Sequence, residues 1–145
     1  MATRSTIAIR NADNTVTAIY CHWDGYLSHN GKILFENYNT EEKVRELIAL
    51  GDLSVLGPEI GTKHSFDNPH EVGSEEYYNF SKQCTAYGRD RGEKGVGQTT
   101  YENWEDMYSQ EFNYIFETSE NRWYVSYYDG MGSLEEELNK EKEIA

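Results

Sequence analysis

Near the start of the chain, apolar residues alternate with polar ones. Ile7 and Ile9 share one face of Ser5–Arg10, and a second run rich in branched and aromatic residues extends from Val16 to Trp23. The intervening ADNT, residues 12–15, consists of turn formers, so the two runs predict an N-terminal hairpin. Gly25 breaks the second strand, and a helix is predicted from about Ser28 to Tyr38 with Ile33, Leu34 and Tyr38 inward. Thr40 then caps a second helix. Its Val44, Leu47 and Ile48 follow the three-then-four spacing of one buried stripe, Glu41, Glu42, Arg45 and Glu46 form the wet face, and Gly51 ends it.

Between residues 57 and 79 the chain turns polar and holds both prolines, several glycines, and His64 and His70. A surface loop of that length is expected to be functional or disordered. Lys82–Tyr87 predicts a further strand, followed by the glycine-rich GRDRGEKGVGQ, residues 88–98. YENWEDMY, residues 101–108, predicts a short helix presenting Trp104 and Tyr108. The clearest hairpin is FNYIFET, SENR, WYVSYYD; after it, Ser133 and Glu136 form a capping box for an acidic C-terminal helix over residues 133–145. That helix has only Leu134 and Leu138 to bury. The expected fold is α+β: a single antiparallel sheet of two hairpins plus a further strand, covered by two helices, in one domain of residues 1–145.

Charge narrows the possible partners. Thirteen Lys and Arg stand against 26 Asp and Glu, a formal net charge of -13. Direct nucleic-acid binding is disfavoured because phosphate contacts need a cationic footprint, whereas a protein with a basic surface suits this chain. Twelve tyrosines raise the aromatic fraction to 14%, and tyrosine supplies rigid amphipathic contact area at low entropic cost. The start, MATRSTIAIR, lacks a secretory apolar stretch, and no run of 18 apolar residues occurs, so a cytosolic chain without membrane contact is expected. In that compartment Cys21 and Cys84, each in an apolar or β-favouring stretch, are expected as free buried thiols.

Three stretches carry candidate chemistry. In YCHWDGY, residues 20–26, extended geometry puts Tyr20 and His22 on one face and Cys21 and Trp23 on the other, where they pack under the helices. If the strand continues, Asp24 joins His22 and orients the imidazole or shares a metal; otherwise Asp24 and Gly25 form a turn. Arg89 and Arg91, alternate residues of an extended segment, would grip a phosphate or carboxylate together, with Trp23, Tyr26 or Tyr87 stacking on a base. The competing reading pairs the two arginines with Asp90 and Glu93. The following GEKGVG lacks the spacing of a phosphate loop. The third stretch, from Glu102 to Glu143, interleaves carboxylates with rings, and Trp104, Tyr108, Tyr127, Tyr128, Glu135 and Glu136 are its candidate partner contacts. Such a surface can imitate the phosphate rows and base faces of nucleic acid; the competing reading makes charge runs such as EEELNKEKE a solvated helix face. No nucleophile, base and orienting group stand at a recognisable spacing, so no catalytic residue, metal or cofactor is assigned.

TRSTIAI, YCHWDGY, KVRELIALGDLSVLG and AYGRDRGE together resemble a family of small proteins encoded by tailed bacteriophages, over about the first two-thirds of the chain. The resemblance implies an accessory protein in the cytoplasm of the infected bacterial host and brings no reaction with it. The expected function is stoichiometric binding, with counter-defence as one form: an acidic surface blocking a nucleic-acid-binding host protein, or a pocket sequestering a nucleotide-like signal. The alternatives are a small metal-dependent hydrolase or nuclease using His22 and Asp24, and a self-associating virion or assembly component.

Overall fold

The computed structural model describes residues 2–107, 110–127 and 130–144. Both predicted hairpins form. Strand β1 (Ser5–Arg10) pairs antiparallel with β2 (Val16–Cys21), Ile7 opposite Ile19. Near the other end of the chain, β6 (Phe112–Glu117) pairs antiparallel with β7 (Arg122–Tyr127), Phe116 opposite Trp123. The hairpins join side by side in parallel, with Ser5 opposite Phe112 and Arg10 opposite Glu117. The sheet is therefore mixed, which corrects the expectation of a purely antiparallel one. Four short strands complete it: β3 (Leu53–Val55), β4 (Thr85–Ala86), β5 (Thr99–Tyr101) and β8 (Gly130–Ser133). The order is β4-β3-β2-β1-β6-β7-β8, with β5 pairing beside β2.

Period-two alternation sends Ile7, Ile9, Ile19, Cys21, Phe116, Trp123 and Val125 into one core beneath the helices. Helix α1 (Lys32–Asn37) contributes Leu34, and α2 (Glu41–Ile48) contributes Val44, Leu47 and Ile48 as its spacing predicts. The Thr40 hydroxyl accepts the Lys43 amide at 3.3 Å, the expected cap. The first predicted helix begins instead as a π-turn over Leu27–Gly31. A third helix, α5 (Leu134–Ile144), joins the two expected on this face, burying Leu134 completely and Leu138 in part. Ser133 Oγ accepts the Glu136 amide at 3.1 Å, so the predicted cap forms.

The other face of the sheet carries a smaller cluster of Ala8, Val16, Ala18 and Ile115, against which Tyr101, Trp104 and Tyr124 pack. Trp104 opens a 3₁₀ turn to Met107 and is half-buried in this packing, so it is not presented freely to a partner. Tyr127 is likewise half-buried, stacked on Phe112 with ring centroids 5.3 Å apart. Tyr108 and Tyr128 lie outside the described residues.

The strand expected over Lys82–Tyr87 shrinks to two residues. Helix α3 (Glu75–Ser81), capped by Ser74, ends just before it, and helix α4 (Tyr87–Arg91) begins directly after it. The polar excursion after Gly57 thus ends in a helix. Among the described residues no helix is long and apolar enough to cross a membrane.

Candidate functional site

YCHWDGY divides where β2 stops, at Cys21. The Cys21 thiol is fully buried, and burial pushes its pKa up to about 12. Tyr20 and His22 share the opposite face as expected, the Tyr20 hydroxyl 2.7 Å from His22 Nδ1. Trp23 departs from the expected core position. With the strand already ended, its ring swings out to 43% exposure and meets His22 edge-on. Asp24 takes a positive φ of 56° and starts the turn, so it does not join His22. Its carboxylate lies beside Tyr26 and raises that phenol's pKa. Gly25 is required here because an added Cβ would stand 2.8 Å from Ser5 Cβ.

Sequence reasoning missed Asn30. Its buried side-chain amide donates to Ser5 Oγ, Cys21 Sγ and the Trp23 carbonyl, tying the π-turn to the end of β2. A polar residue inside a predicted helix was its only trace in the sequence.

Arg89 and Arg91 lie on a helix, not on an extended segment, so they project about 200° apart. Arg89 turns inward. It donates to the Ile60 and Cys84 carbonyls at 2.9 Å each and to Asp90 Oδ1 at 3.0 Å. The Asp90 side chain is completely buried and also accepts the Ala86 and His64 amides. Burial works to raise the Asp90 carboxyl, but these hydrogen bonds prevail and hold its pKa below the ordinary carboxylate value. The group clamps the segment around residues 60–64 to α4. Arg91 instead lies against the rings of Phe66 and Tyr87, which stack on each other, 4.4 and 4.9 Å from their centroids, and pairs with Glu93. The two guanidiniums do not grip one anion together, which corrects the phosphate-clamp expectation.

Among the described residues, two cavities bear on the site. One, of about 470 Å³, opens on the helical side between α1, the β6–β7 turn and the start of α5. Its aromatic walls are Phe35, Phe116 and Trp123, and its rim carries Glu36, Glu120 and Glu135 with Arg122 among them. Trp123 is held by a 2.6 Å hydrogen bond from Nε1 to the Tyr38 carbonyl. Glu120 accepts the Tyr124 hydroxyl at 2.7 Å, while among the described residues neither Glu36 nor Glu135 is in an ion pair. Of the expected partner contacts, Glu135 lies on this rim and Glu136 is exposed beside it.

The second cavity, of about 300 Å³, lies beside β2 where Thr6, Ala18, Ile19, Tyr20, Asp52, Thr99, Tyr101 and Gln110 meet. Tyr20 thus links the sequence-predicted patch to a real concavity. Among the described residues no three or more His, Cys, Asp and Glu side chains converge as metal ligands. No protein-family model, curated protein or solved structure matches this chain.

Proposed function

We propose that this protein is a stoichiometric binder that receives a basic side chain of a partner protein in the cavity between α1, the β6–β7 turn and α5. One observation carries the reading: aromatic walls lie under carboxylates, two of which, Glu36 and Glu135, lack an ion-pair partner among the described residues. A lysine or arginine lays its aliphatic stem on apolar surface while its charge meets the rim. The exposed Phe35 ring adds a cation–π face. A net charge of -13 steers basic partners toward the chain and repels nucleic acid.

The resemblance to tailed-phage proteins supports placing this binding in an infected bacterium, as a counter-defence accessory acting on a basic, nucleic-acid-handling host protein. The His22–Asp24 pair that a hydrolase would use is not assembled.

The test is titration of a lysine- and arginine-rich peptide into the parent and a Glu36→Lys, Glu135→Lys double variant. Both positions are exposed, so the fold tolerates the change. Affinity should fall by roughly tenfold or more and its salt dependence should flatten. Equal affinity of parent and variant overturns the reading.

A further inference from the structure

The cavity beside β2 arises from a change of partner along one strand edge. Over Val16–Ala18, β2 pairs with β5, and Ala18 stands opposite Thr99. At Cys21 the partner is β3, through Leu53. Between them the ladder is interrupted, and Asp52 fills the gap with a side chain: Asp52 Oδ1 accepts the Tyr20 amide at 2.9 Å. The crevice left beside it is lined by the polar residues Thr6, Tyr20, Thr99, Tyr101 and Gln110 and by Asp52, the single carboxylate among them; the Tyr20 hydroxyl also meets His22 Nδ1 at 2.7 Å.

Asp52 is fixed from three sides. Its amide donates to the Val96 carbonyl at 2.7 Å, its carbonyl accepts the Tyr87 amide at 3.2 Å, and its carboxylate holds Tyr20. Asp52 Oδ2 has no hydrogen bond or ion pair among the described residues. Burial pushes the Asp52 carboxyl above its ordinary pKa, with the Tyr20 amide offsetting part of that. The crevice therefore presents a rigid, poorly compensated carboxylate in a cavity whose lining includes oxygen-bearing side chains and two tyrosines.

Charge and donor count select the ligand. Every polar lining group offers an acceptor oxygen, and the one group that is acceptor-only when ionised is Asp52. An anion is disfavoured by that carboxylate and by the net charge. A compact ammonium has three donors that diverge, whereas a guanidinium or amidinium spreads its N–H groups in one plane and stacks on aromatic faces. We propose that the Asp52 crevice is a second binding site, independent of the acid-rimmed cavity, that takes a small planar cation with adjacent N–H donors, a guanidinium or amidinium. One donor meets Asp52 Oδ2, the others meet the hydroxyl and amide oxygens, and the plane lies against Tyr20 or Tyr101.

The experiment is an NMR titration of the ¹⁵N-labelled full chain with agmatine, and with 1,5-diaminopentane as a cation of similar length lacking the planar group. Agmatine should shift the amides of Tyr20, Thr99 and Tyr101, and 1,5-diaminopentane should bind there roughly tenfold more weakly. Asp52→Asn keeps a carbonyl oxygen for the Tyr20 amide but loses the charge, and it should weaken agmatine binding by about tenfold or more. Thr99→Val, at an exposed strand position, should weaken it less. The Glu36→Lys, Glu135→Lys double variant should leave these shifts unchanged, which separates the site from the acid-rimmed cavity. Shifts confined to Phe35 and Trp123, equal binding of the two cations at the crevice, or full affinity in Asp52→Asn would each overturn the proposal.

Discussion

The backbone amide of Tyr20 donates to Asp52 Oδ1 at 2.9 Å across 32 positions of sequence, so a side chain stands where a neighbouring strand would supply a carbonyl. The carboxylate is held in a half-buried place without a compensating cation, and its folded-state pKa is raised. The folded chain therefore binds this proton more tightly than the unfolded chain. The contribution of Asp52 to stability is most favourable at low pH and declines as pH rises through the folded value. Asp52→Asn, which stays neutral and keeps the acceptor, should be more stable than the parent at pH 7, and the difference should close near pH 3. Urea denaturation at the two pH values measures this. A variant less stable at pH 7 would contradict it.

Asp90 behaves in the opposite sense. Its folded-state pKa is lowered, so its stabilisation is present above the unfolded carboxyl value of about 3.9 and is lost as pH falls through the folded value. Asp90→Asn leaves the Arg89 guanidinium without its charge partner and should cost about 3 kcal/mol at neutral pH. The gap between parent and variant should narrow on acidification. Denaturant midpoints between pH 2 and 7 provide the readout, and a gap independent of pH would refute the clamp.

Gly51 has a φ of 80°, and an added Cβ would stand 2.5 Å from the Val96 carbonyl oxygen. That carbonyl also accepts the Asp52 amide, so it cannot retreat freely. Gly51→Ala should therefore destabilise the fold by about 1–3 kcal/mol, as expected for enforced left-handed backbone with a steric clash. Thermal unfolding of the variant checks it.

Trp123 donates its indole N–H to the Tyr38 carbonyl at 2.6 Å in a buried setting. Trp123→Phe keeps an aromatic ring but leaves that carbonyl without its donor, at a cost of about 1–3 kcal/mol. The same change loosens the wall of the acid-rimmed cavity. Chemical denaturation and titration of the basic peptide should both register it, and unaltered values in both would show that the bond positions nothing.

Local patterns were legible where one element decides its own structure. The stripe of Val44, Leu47 and Ile48, the caps at Thr40 and Ser133, and the two hairpins follow from periodicity and turn chemistry within a few residues. The burial of Cys21 and the shared face of Tyr20 and His22 follow from the alternation of one strand. Trp23 leaves the expected core face because alternation holds only while the strand lasts, and β2 ends at Cys21 just before the backbone turns left-handed at Asp24, φ 56°. Arg89 and Arg91 were misread because α4 is a five-residue turn whose formation depends on Asp90 meeting His64 and Ala86.

By itself, the sequence determined the acidic balance, the mixture of strands and helices, the inward faces of the long strands and the two buried thiols, because each depends on composition or on neighbours in the chain. Only the tertiary structure decided that β1 and β6 lie parallel, that Asp52 fills a gap beside Tyr20, and that Phe35, Trp123 and Glu135 line one cavity. Those relationships join residues far apart in sequence. Which distant strands pair depends on how whole faces pack against one another, and no local period records that choice.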